Sequence, residues 1–456
     1  LIIFRVMKIF IALFYTFIFS LSLPAQTNVE ILATADGQKF TVADLAPDLR
    51  EAYKQRNAKN AQMRQDILTQ MIVDTLLETE AAARKIEVDK LIEEAKPEIV
   101  RMPTEAQIKA VYNANKAKLG GRTLDEVREQ IIGFLNRETE QKTMVAYVKR
   151  LQAKYKVTPV KPLNAPNLKA ADVLFTVGAK RITVAQFEQR AKRELYEFRA
   201  EIYDAVIDAL EEMIYAKLVE REAQKAGIAS NDLIAREITD KMRDYSNEES
   251  ENLREDFRRR LFQKYNAQIL LKEPEPFAQN VSVDDDPFRG NAGAPVTVVM
   301  FSDFQCSACA ATHPVLQKVL AEYGDKIRFV VRDFPLTTIH KDAFLAAQAA
   351  AAANAQGKFF EFTEILYQNQ AALDAVSLKK YAADSGLNVA QFELDLQSGK
   401  FAGEVRRDMA EGKSYGVTST PTIFVNGVKV RALSAKSFRD AIEKALAKTK
   451  VSAGSR

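Results

Sequence analysis

The spacing of apolar residues changes along the chain and divides it into two kinds of region. Between about residues 28 and 270, apolar side chains recur three and four positions apart, as at Ile67, Met71 and Ile72, which predicts long amphipathic helices. From residue 296 an apolar, β-branched run without turn residues predicts a buried strand. The pattern therefore predicts a mainly helical N-terminal region followed by a mixed α/β domain.

The helical region contains an internal repeat. Residues 31–43 match residues 173–185, and the same offset aligns residues 76–86 with 218–228 without a gap. Each copy is expected to begin with a strand–turn–strand hairpin, and the threonine at its end is expected to cap a helix. The sequence thus predicts a mainly α N-terminal region built from two related units, over residues 26–158 and 167–272.

The last domain is predicted over residues 296–450. A second strand is expected near 326–335 and a helical stretch from 342 to about 409. A hairpin that turns at Asn426 and Gly427 and a final helix then complete the order βαβ, helical insertion, ββα.

Residues 273–295 are rich in turn formers and are expected to be a linker. The acidic triplet at 284–286 could bind a cation. A solvated linker or turn is favoured, because no spaced set of ligands accompanies the triplet.

The chemistry of the chain is concentrated at Cys306 and Cys309, which are its two cysteines. They follow the first strand of the last domain, where a helix is expected to begin. A helix N-terminus supplies unpaired N–H groups and the positive end of the helix dipole, which lower the pKa of a cysteine. Since two intervening residues let the sulfur atoms close into a disulfide, we predict that Cys306 attacks and Cys309 resolves.

Two alternatives to a redox pair follow from the same residues. A zinc site would need both cysteines together with His313 and His340. The histidines lie much further apart than the roughly three to five residues usual in zinc motifs, and packing or capping roles are favoured for them. The other alternative is a pair of buried structural cysteines.

The length of the chain indicates several domains, and its charge gives no reason to expect a nucleic-acid partner. A chain of 456 residues suggests two to four domains, and its 65 basic and 61 acidic side chains nearly balance. No pattern of basic and aromatic residues predicts a nucleic-acid partner.

Residues 1–25 have a short charged start, an apolar core and a small residue at Ala25. They are expected to be a cleaved signal peptide, with a retained membrane anchor as the alternative. Export to an oxidising compartment favours a working disulfide.

The N-terminal region resembles the helical chaperone region of SurA/PrsA-type periplasmic foldases. The similarity lies in the hairpin, the Thr-Val-Ala segments at 41–43 and 183–185, and the helix start at 103–109 with Tyr112 and Asn115. It implies a cradle for unfolded polypeptide. The prolyl-isomerase domain of those foldases is not found in the sequence, so isomerase activity is not expected. The alternative is a helical spacer or a dimerisation module, through which the chain could form a homodimer.

The last domain resembles the thioredoxin fold, in its DsbA-like branch with a helical insertion. The motifs that carry this resemblance are residues 301–309, 332–336, 340–344 and 416–427. The resemblance implies a cis Pro421 beside the cysteine pair and a Thr420 backbone that binds extended substrate. It also implies that neither a cofactor nor a metal is needed. Ser307 and Ala308 depart from the family's usual dipeptide, and the absence of histidine there argues against a strongly oxidising potential.

These observations predict an exported, periplasmic or otherwise extracytoplasmic thiol–disulfide oxidoreductase with a chaperone-like arm. Its expected partners are unfolded or cysteine-containing exported proteins and a membrane or periplasmic redox partner. Asp303, which precedes the pair, could accept a proton, although a turn or strand-end role is equally favoured. The alternative function is a non-enzymatic chaperone or assembly factor whose thioredoxin-like domain only binds.

Overall fold

The computed structural model describes residues 30–95, 103–116, 119 and 121–454. The chain divides into two compact units, Leu1–Glu275 and Pro276–Arg456. The predicted signal peptide lies outside the described residues. Within the described ranges, none of the helices combines the length and the apolar character needed to cross a membrane.

The first unit is largely helical, as the sequence predicted. Its helices are α1 (Pro47–Arg84), α2 (Val88–Ala95), α3 (Glu105–Asn115), α4 (Leu124–Tyr155), α5 (Val184–Ala226), α6 (Ser230–Glu237) and α7 (Asn247–Lys264). Its strands are β1 (Ile31–Ala35), β2 (Gln38–Thr41), β3 (Val157–Pro159), β4 (Val173–Val177), β5 (Lys180–Thr183) and β6 (Gln268–Ile269). The strands form two three-stranded sheets, in the orders β2-β1-β6 and β3-β4-β5.

Both predicted hairpins form, and each leads into a helical turn through a capping box. The Thr183 side chain accepts a hydrogen bond from the backbone of Gln186, whose side chain bonds back to Thr183 at the start of α5. Thr41 and Asp44 make the same reciprocal pair, but they cap a short 3₁₀ turn, and α1 begins only at Pro47. The local signals at Thr41 and Thr183 therefore give the same capping contacts before a 3₁₀ turn and before an α-helix, respectively.

The hairpins contribute to cores that cross between the two halves of the unit. One core joins Phe40 of β2 to Ile214 of α5 and Phe257 of α7. The other joins Ile182 of β5 to Leu76 of α1. The first hairpin thus packs on the C-terminal half of α5, while the second packs on the C-terminal half of α1. These two cores therefore each combine side chains from both halves.

A glutamate with similar contacts lies in each half of the helical unit, buried at Glu80 and half-buried at Glu222. Glu80 of α1 accepts hydrogen bonds from Lys154 Nζ at 2.6 Å and from the Tyr155 hydroxyl at 2.7 Å. The equivalent group in the second half consists of Glu222, Lys264 and Tyr265. The backbone carbonyls of the two tyrosines accept N–H bonds at equivalent hairpin positions, from Gly178 at 2.7 Å and Asp36 at 2.9 Å. The same contacts therefore tie each hairpin to the end of a helix.

The second unit carries the cysteines and has a thioredoxin fold. Its helices are α8 (Ser307–Ala321), α9 (Ala343–Asn354), α10 (Phe359–Gln368), α11 (Ala375–Asp384), α12 (Val389–Gln397), α13 (Ala402–Ser414) and α14 (Ala435–Gly454). Its strands are β7 (Phe288–Gly290), β8 (Val296–Ser302), β9 (Ile327–Asp333), β10 (Thr422–Val425) and β11 (Val428–Lys429). They form a five-stranded sheet in the order β11-β10-β8-β9-β7.

The cysteine pair lies at the C-terminal end of β8, the central strand of the sheet. Strands β8 and β9 are parallel, while β10 runs antiparallel to β8. Residues on β8 alternate between two cores. Met300 faces the side of α8 and the helical insertion, and Phe301 faces the side of Phe334 and Phe424. The end of β8 therefore meets the start of β10 where α8 begins.

The predicted linker at residues 273–295 is corrected by the structure. Strand β7 pairs antiparallel with β9, and Val281 and Val283 pack on the core around Phe301. The acidic triplet is tied down by arginines: Asp286 lies 2.9 Å from Arg332 Nε, and the ion pair of Asp285 is with Arg407. Apolar burial and ion pairing thus make most of this segment part of the second unit, which begins at Pro276 rather than residue 296.

Candidate redox site

The cysteine pair lies at the junction of β8 and α8. Cys306 is the N-cap of α8, with extended backbone angles of φ −80° and ψ 119°. Its carbonyl oxygen accepts the first bonds of the helix, from the N–H groups of Cys309 and Ala310 at 3.1 and 3.2 Å. Cys309 lies one turn into the helix. This arrangement points the free N–H groups of the first turn toward the Cys306 sulfur.

The two thiols differ in exposure and in acidity. Cys306 is 9 % exposed and Cys309 is fully buried, and both are free thiols. The hydrogen bond from Cys309 is the main cause that lowers the pKa of Cys306 to about 5, with help from Thr420 and the N–H groups of Cys309 and Ala308. Burial raises the pKa of Cys309 far above its usual range. Cys306 is therefore the thiolate that can meet a substrate.

Thr420 and Pro421 lie beside the exposed cysteine, as the resemblance implied. The Thr420–Pro421 peptide bond is cis. The carbonyl oxygen of Thr420 lies 3.4 Å from Cys306 Sγ. Because β10 pairs with β8 through Thr422 and Phe301, the segment that opens β10 is carried to the N-terminus of α8. Binding of an extended substrate by the Thr420 backbone stays a prediction.

Asp303 is buried in the turn before the cysteines. Its carboxylate accepts hydrogen bonds from the N–H groups of Gln305 at 2.7 Å and Leu336 at 2.8 Å, and His340 Nδ1 lies 2.7 Å away. These contacts tie the turn to the loop after β9. The contacts of Asp303 are those of a turn residue, and its role as a proton acceptor stays a prediction.

The two histidines do not join the cysteines in a metal centre. His340 is bonded to Asp303. His313 is buried, lies 2.8 Å from Glu364 Oε1, and packs against Tyr367. Within the described residues no group of three or more His, Cys, Asp or Glu side chains is arranged to hold a metal ion. The sequence favours packing or capping roles for the histidines, and in the structure His313 packs on Tyr367 while His340 bonds the turn before the cysteines.

Three polar side chains of the site could not be recognised from the sequence. Ser302 Oγ lies 2.6 Å from the Tyr367 hydroxyl, and both residues are buried on the side of Cys309. Gln370 donates hydrogen bonds to the backbone carbonyls of Phe304 and Cys306. Tyr367 and Gln370 belong to the helical insertion and lie about 60 residues from the pair in the chain. Only the folded structure brings them there.

A known protein family is similar to most of the second unit. The family described as Thioredoxin matches residues 282–444. This range includes both cysteines, Thr420 and Pro421, and it begins well before the predicted boundary at residue 296. The second unit therefore contains a thioredoxin-like domain.

Similar chains were found among curated proteins and solved structures. The Na(+)/H(+) antiporter NhaA 1 of Mycolicibacterium vanbaalenii is 35% identical over 165 residues, which are 35% of this chain and 27% of the antiporter. The chain thus spans about a quarter of the length of that relative. A thioredoxin-like oxidoreductase from Silicibacter pomeroyi is 26% identical, with a TM-score of 0.33, over 35% of this chain and 91% of its own. Wolbachia pipientis alpha-DsbA1 is 23% identical, with a TM-score of 0.34, over 38% and 96% of the two chains.

Proposed function

We propose that the chain is a thiol–disulfide oxidoreductase of the DsbA-like kind that exchanges disulfides with protein substrates. The observation that carries this proposal is the asymmetry of the cysteine pair. Cys306 is the more exposed thiol and has a pKa lowered to about 5, whereas Cys309 is buried and its pKa is raised. An attacking and a resolving thiol require this division of properties.

The exchange proceeds through a mixed disulfide. In the oxidising direction a substrate thiolate attacks Cys306 Sγ of the Cys306–Cys309 disulfide, and Cys309 leaves and takes up a proton. A second substrate thiolate then attacks the substrate sulfur of the mixed disulfide and expels Cys306 as a thiolate. The substrate loses two electrons and the cysteine pair gains them. The low pKa of Cys306 makes it a good leaving group in the second step.

The direction of exchange follows from how strongly the reduced form is stabilised. A thiolate with a low pKa favours the dithiol and so raises the reduction potential. Here hydrogen bonds lower the pKa of Cys306 without a histidine between the cysteines. The potential measured against glutathione tests the direction, since about −120 mV indicates an oxidase and about −270 mV a reductase.

Single cysteine variants test the proposed chemistry. Cys306→Ser is expected to abolish disulfide exchange with a peptide that contains two cysteines. Cys309→Ser keeps the attacking thiol and is expected to accumulate a mixed disulfide, detected by mass spectrometry without reductant. Full exchange by Cys306→Ser would overturn the enzymatic proposal and leave a thioredoxin-like domain that only binds.

We also propose that the helical unit consists of two related halves and serves as a chaperone-like arm for unfolded polypeptide. The matched hairpins and the equivalent Glu80 and Glu222 contacts support the relation between the halves. The full chain with both cysteines changed to serine should suppress aggregation of an unfolded substrate that lacks cysteine. If the substrate aggregated equally with and without the chain at every molar ratio, the chaperone proposal would fail. The helical unit would then be a spacer or a dimerisation module. The mass measured by sedimentation would distinguish a monomer from a homodimer.

The proposed site of action is outside the cytoplasm. The support is the signal-like sequence of residues 1–25 and the paired cysteines of a redox centre. The proposed partners there are unfolded or cysteine-containing exported proteins and a redox protein that resets the pair. Fractionation of cells that express the full chain tests this, and an N-terminus at Gln26 in the periplasmic fraction is expected. If the protein were recovered only in the cytoplasmic fraction, the proposed location outside the cytoplasm would be wrong.

A further inference from the structure

Gln370 of the helical insertion bonds the backbone of the redox centre directly. This residue follows α10 in a turn closed by the N–H group of Ala372 and the carbonyl of Asn369, at 2.9 Å. Its amide nitrogen donates to the backbone carbonyl of Phe304 at 2.9 Å and to that of Cys306 at 2.8 Å. One amide group therefore spans the turn that leads into the attacking cysteine.

The two carbonyls that Gln370 binds decide how Cys306 is presented. The Cys306 carbonyl also accepts the first two helical N–H bonds, so its orientation fixes the N-cap geometry. With that geometry, the N–H groups of Ala308 and Cys309 point at the Cys306 sulfur. The Phe304 carbonyl lies at the other side of the same turn, and the Phe304 ring packs on Tyr367. A shift of either carbonyl would move the sulfur relative to these donors.

We propose that Gln370 is a positioning residue for the redox reaction, which holds the Cys306 backbone so that the donors of the first helical turn stabilise the thiolate. The helical insertion therefore acts on the reactivity of the pair as well as covering it. The kinetic part of this inference rests on the proposed thiol–disulfide exchange. The acidity of the Cys306 thiol can be measured without any exchange activity, so the two proposals can fail separately.

The test uses Gln370→Met in the full, reduced chain. Methionine keeps the length and volume of the side chain but has no N–H donor, so packing is preserved while both hydrogen bonds are lost. Absorbance of the thiolate near 240 nm is followed as the pH is changed. We expect the titration midpoint of Cys306 to rise by about one unit, which is a tenfold change in the ratio of thiolate to thiol.

Alkylation by iodoacetamide gives a second readout of the same change. At pH 5 a rise of about one unit in the pKa reduces the thiolate fraction from about one half to about one tenth. The ratio of the alkylation rate at pH 5 to that at pH 8 should then be about fivefold lower for Gln370→Met than for the unchanged chain, because this ratio cancels the intrinsic reactivity of the thiolate. A further variant, Gln370→Glu, should raise the midpoint at least as far, because its carboxylate is repelled by both carbonyls.

Gln356→Met is the matched control. Gln356 bonds both backbone groups of Asn388, at 2.7 and 3.4 Å, within the same helical insertion but away from the cysteines. It should lower the melting temperature as much as Gln370→Met does and leave the thiol titration unchanged. The proposal is overturned if Gln370→Met titrates like the unchanged chain, or if Gln356→Met shifts the midpoint equally. Unchanged acidity with a lowered melting temperature would show a purely structural role.

Discussion

The sulfur of Cys306 lies 3.4 Å from the carbonyl oxygen of Thr420, which connects the start of α8 to the start of β10. The Thr420 side chain is buried at the same place, and its hydroxyl has no hydrogen-bond partner among the described residues. This side chain is also one of the causes that lower the pKa of Cys306. The hydroxyl is thus available to donate to a thiolate at Cys306.

Thr420→Val should make the Cys306 thiol less acidic. Valine has nearly the same shape as threonine but cannot donate a hydrogen bond, so one stabilising contact of the thiolate is lost. We expect the pKa of Cys306 to rise from about 5 by about half a unit to one unit. Titration of thiolate absorbance measures the change. Thr422→Val is the control, because Thr422 bonds the Ser419 carbonyl instead, and an equal shift there would refute the contact with sulfur.

Two glycines on α13 should respond to alanine with opposite signs. A Cβ at Gly412 would lie 2.9 Å from Phe334 and 3.0 Å from Phe301, so alanine overpacks the core and should cost about 1–3 kcal/mol. A Cβ at Gly403 meets nothing within 4 Å. Alanine there should stabilise by up to about 1 kcal/mol, because it restricts the unfolded chain. Urea unfolding of both variants measures the difference, and two equal effects would contradict the packing argument.

Asp286 should make the second unit less stable as the pH rises. Burial, and after it the nearby Asp408, raise the pKa of Asp286 to about 10, because they outweigh the lowering effect of Arg332, whose Nε lies 2.9 Å away. An aspartate in the unfolded chain titrates near about 3.9, so between these values the folded state holds a proton that the unfolded state has lost. The stability is therefore complete below about pH 4 and declines as the pH rises toward 10.

Asp286→Asn keeps a neutral group of the same size and should remove this decline. The free energy of unfolding of the variant should fall less steeply between pH 6 and 9 than that of the unchanged chain. Asp285→Asn is the control, because the Asp285 side chain is 63% exposed and an exposed aspartate couples little to folding. If the free energy of unfolding of Asp286→Asn and of the unchanged chain changed equally with pH, the Asp286 carboxyl would not be protonated in the folded state.

Glu80 should give the helical unit the opposite dependence on pH. Burial alone would raise its pKa, but hydrogen bonds from Lys154, Tyr155 and Arg84 outweigh it and lower the pKa to about 2. A carboxyl with a lowered pKa stabilises the fold above its unfolded value of about 4.3, and this stability is lost as the pH falls through about 2. The unit should therefore lose stability in acid.

Glu80→Gln should destabilise the helical unit at pH 7 by about 2 kcal/mol, because the bonds to charged donors are weakened. Its unfolding free energy should also vary less between pH 5 and 2. Urea unfolding followed by circular dichroism measures both effects. Glu78→Gln, at a side chain that is 61% exposed, should change stability by less than about 0.5 kcal/mol. Equal effects at the two positions would refute a special role for Glu80.

The features that could be predicted from the sequence are those that depend on neighbouring residues. The capping boxes of Thr41 and Thr183 and the turn at Asn426 and Gly427 follow from a few adjacent side chains. The turn glycine is also needed for packing, since a Cβ at Gly427 would lie 2.0 Å from the Gln279 carbonyl oxygen. The thioredoxin fold was predicted because its strand order and its Cys-x-x-Cys motif both leave local patterns.

The remaining features depend on contacts between distant segments. Asp303 was considered as a base for the cysteines, but its contacts with Leu336 and His340 require the loop after β9. Gln370 is one of many polar residues in the helical insertion, and nothing adjacent to it marks its contact with Cys306. The sequence favours a solvated linker or turn for the acidic triplet, because the arginines that bind it lie far along the chain.

The crossing of hairpins between the two halves of the helical unit also sets an order for synthesis on the ribosome. Strand β1 emerges early, yet it pairs with β6, and its core partners lie in α5 and α7. Contacts so far apart in sequence slow folding, because the intervening chain must first be made and then closed into a loop. The first hairpin can complete its three-stranded sheet only after residue 269 has emerged. We expect a nascent chain that stops earlier to expose the apolar face of this hairpin.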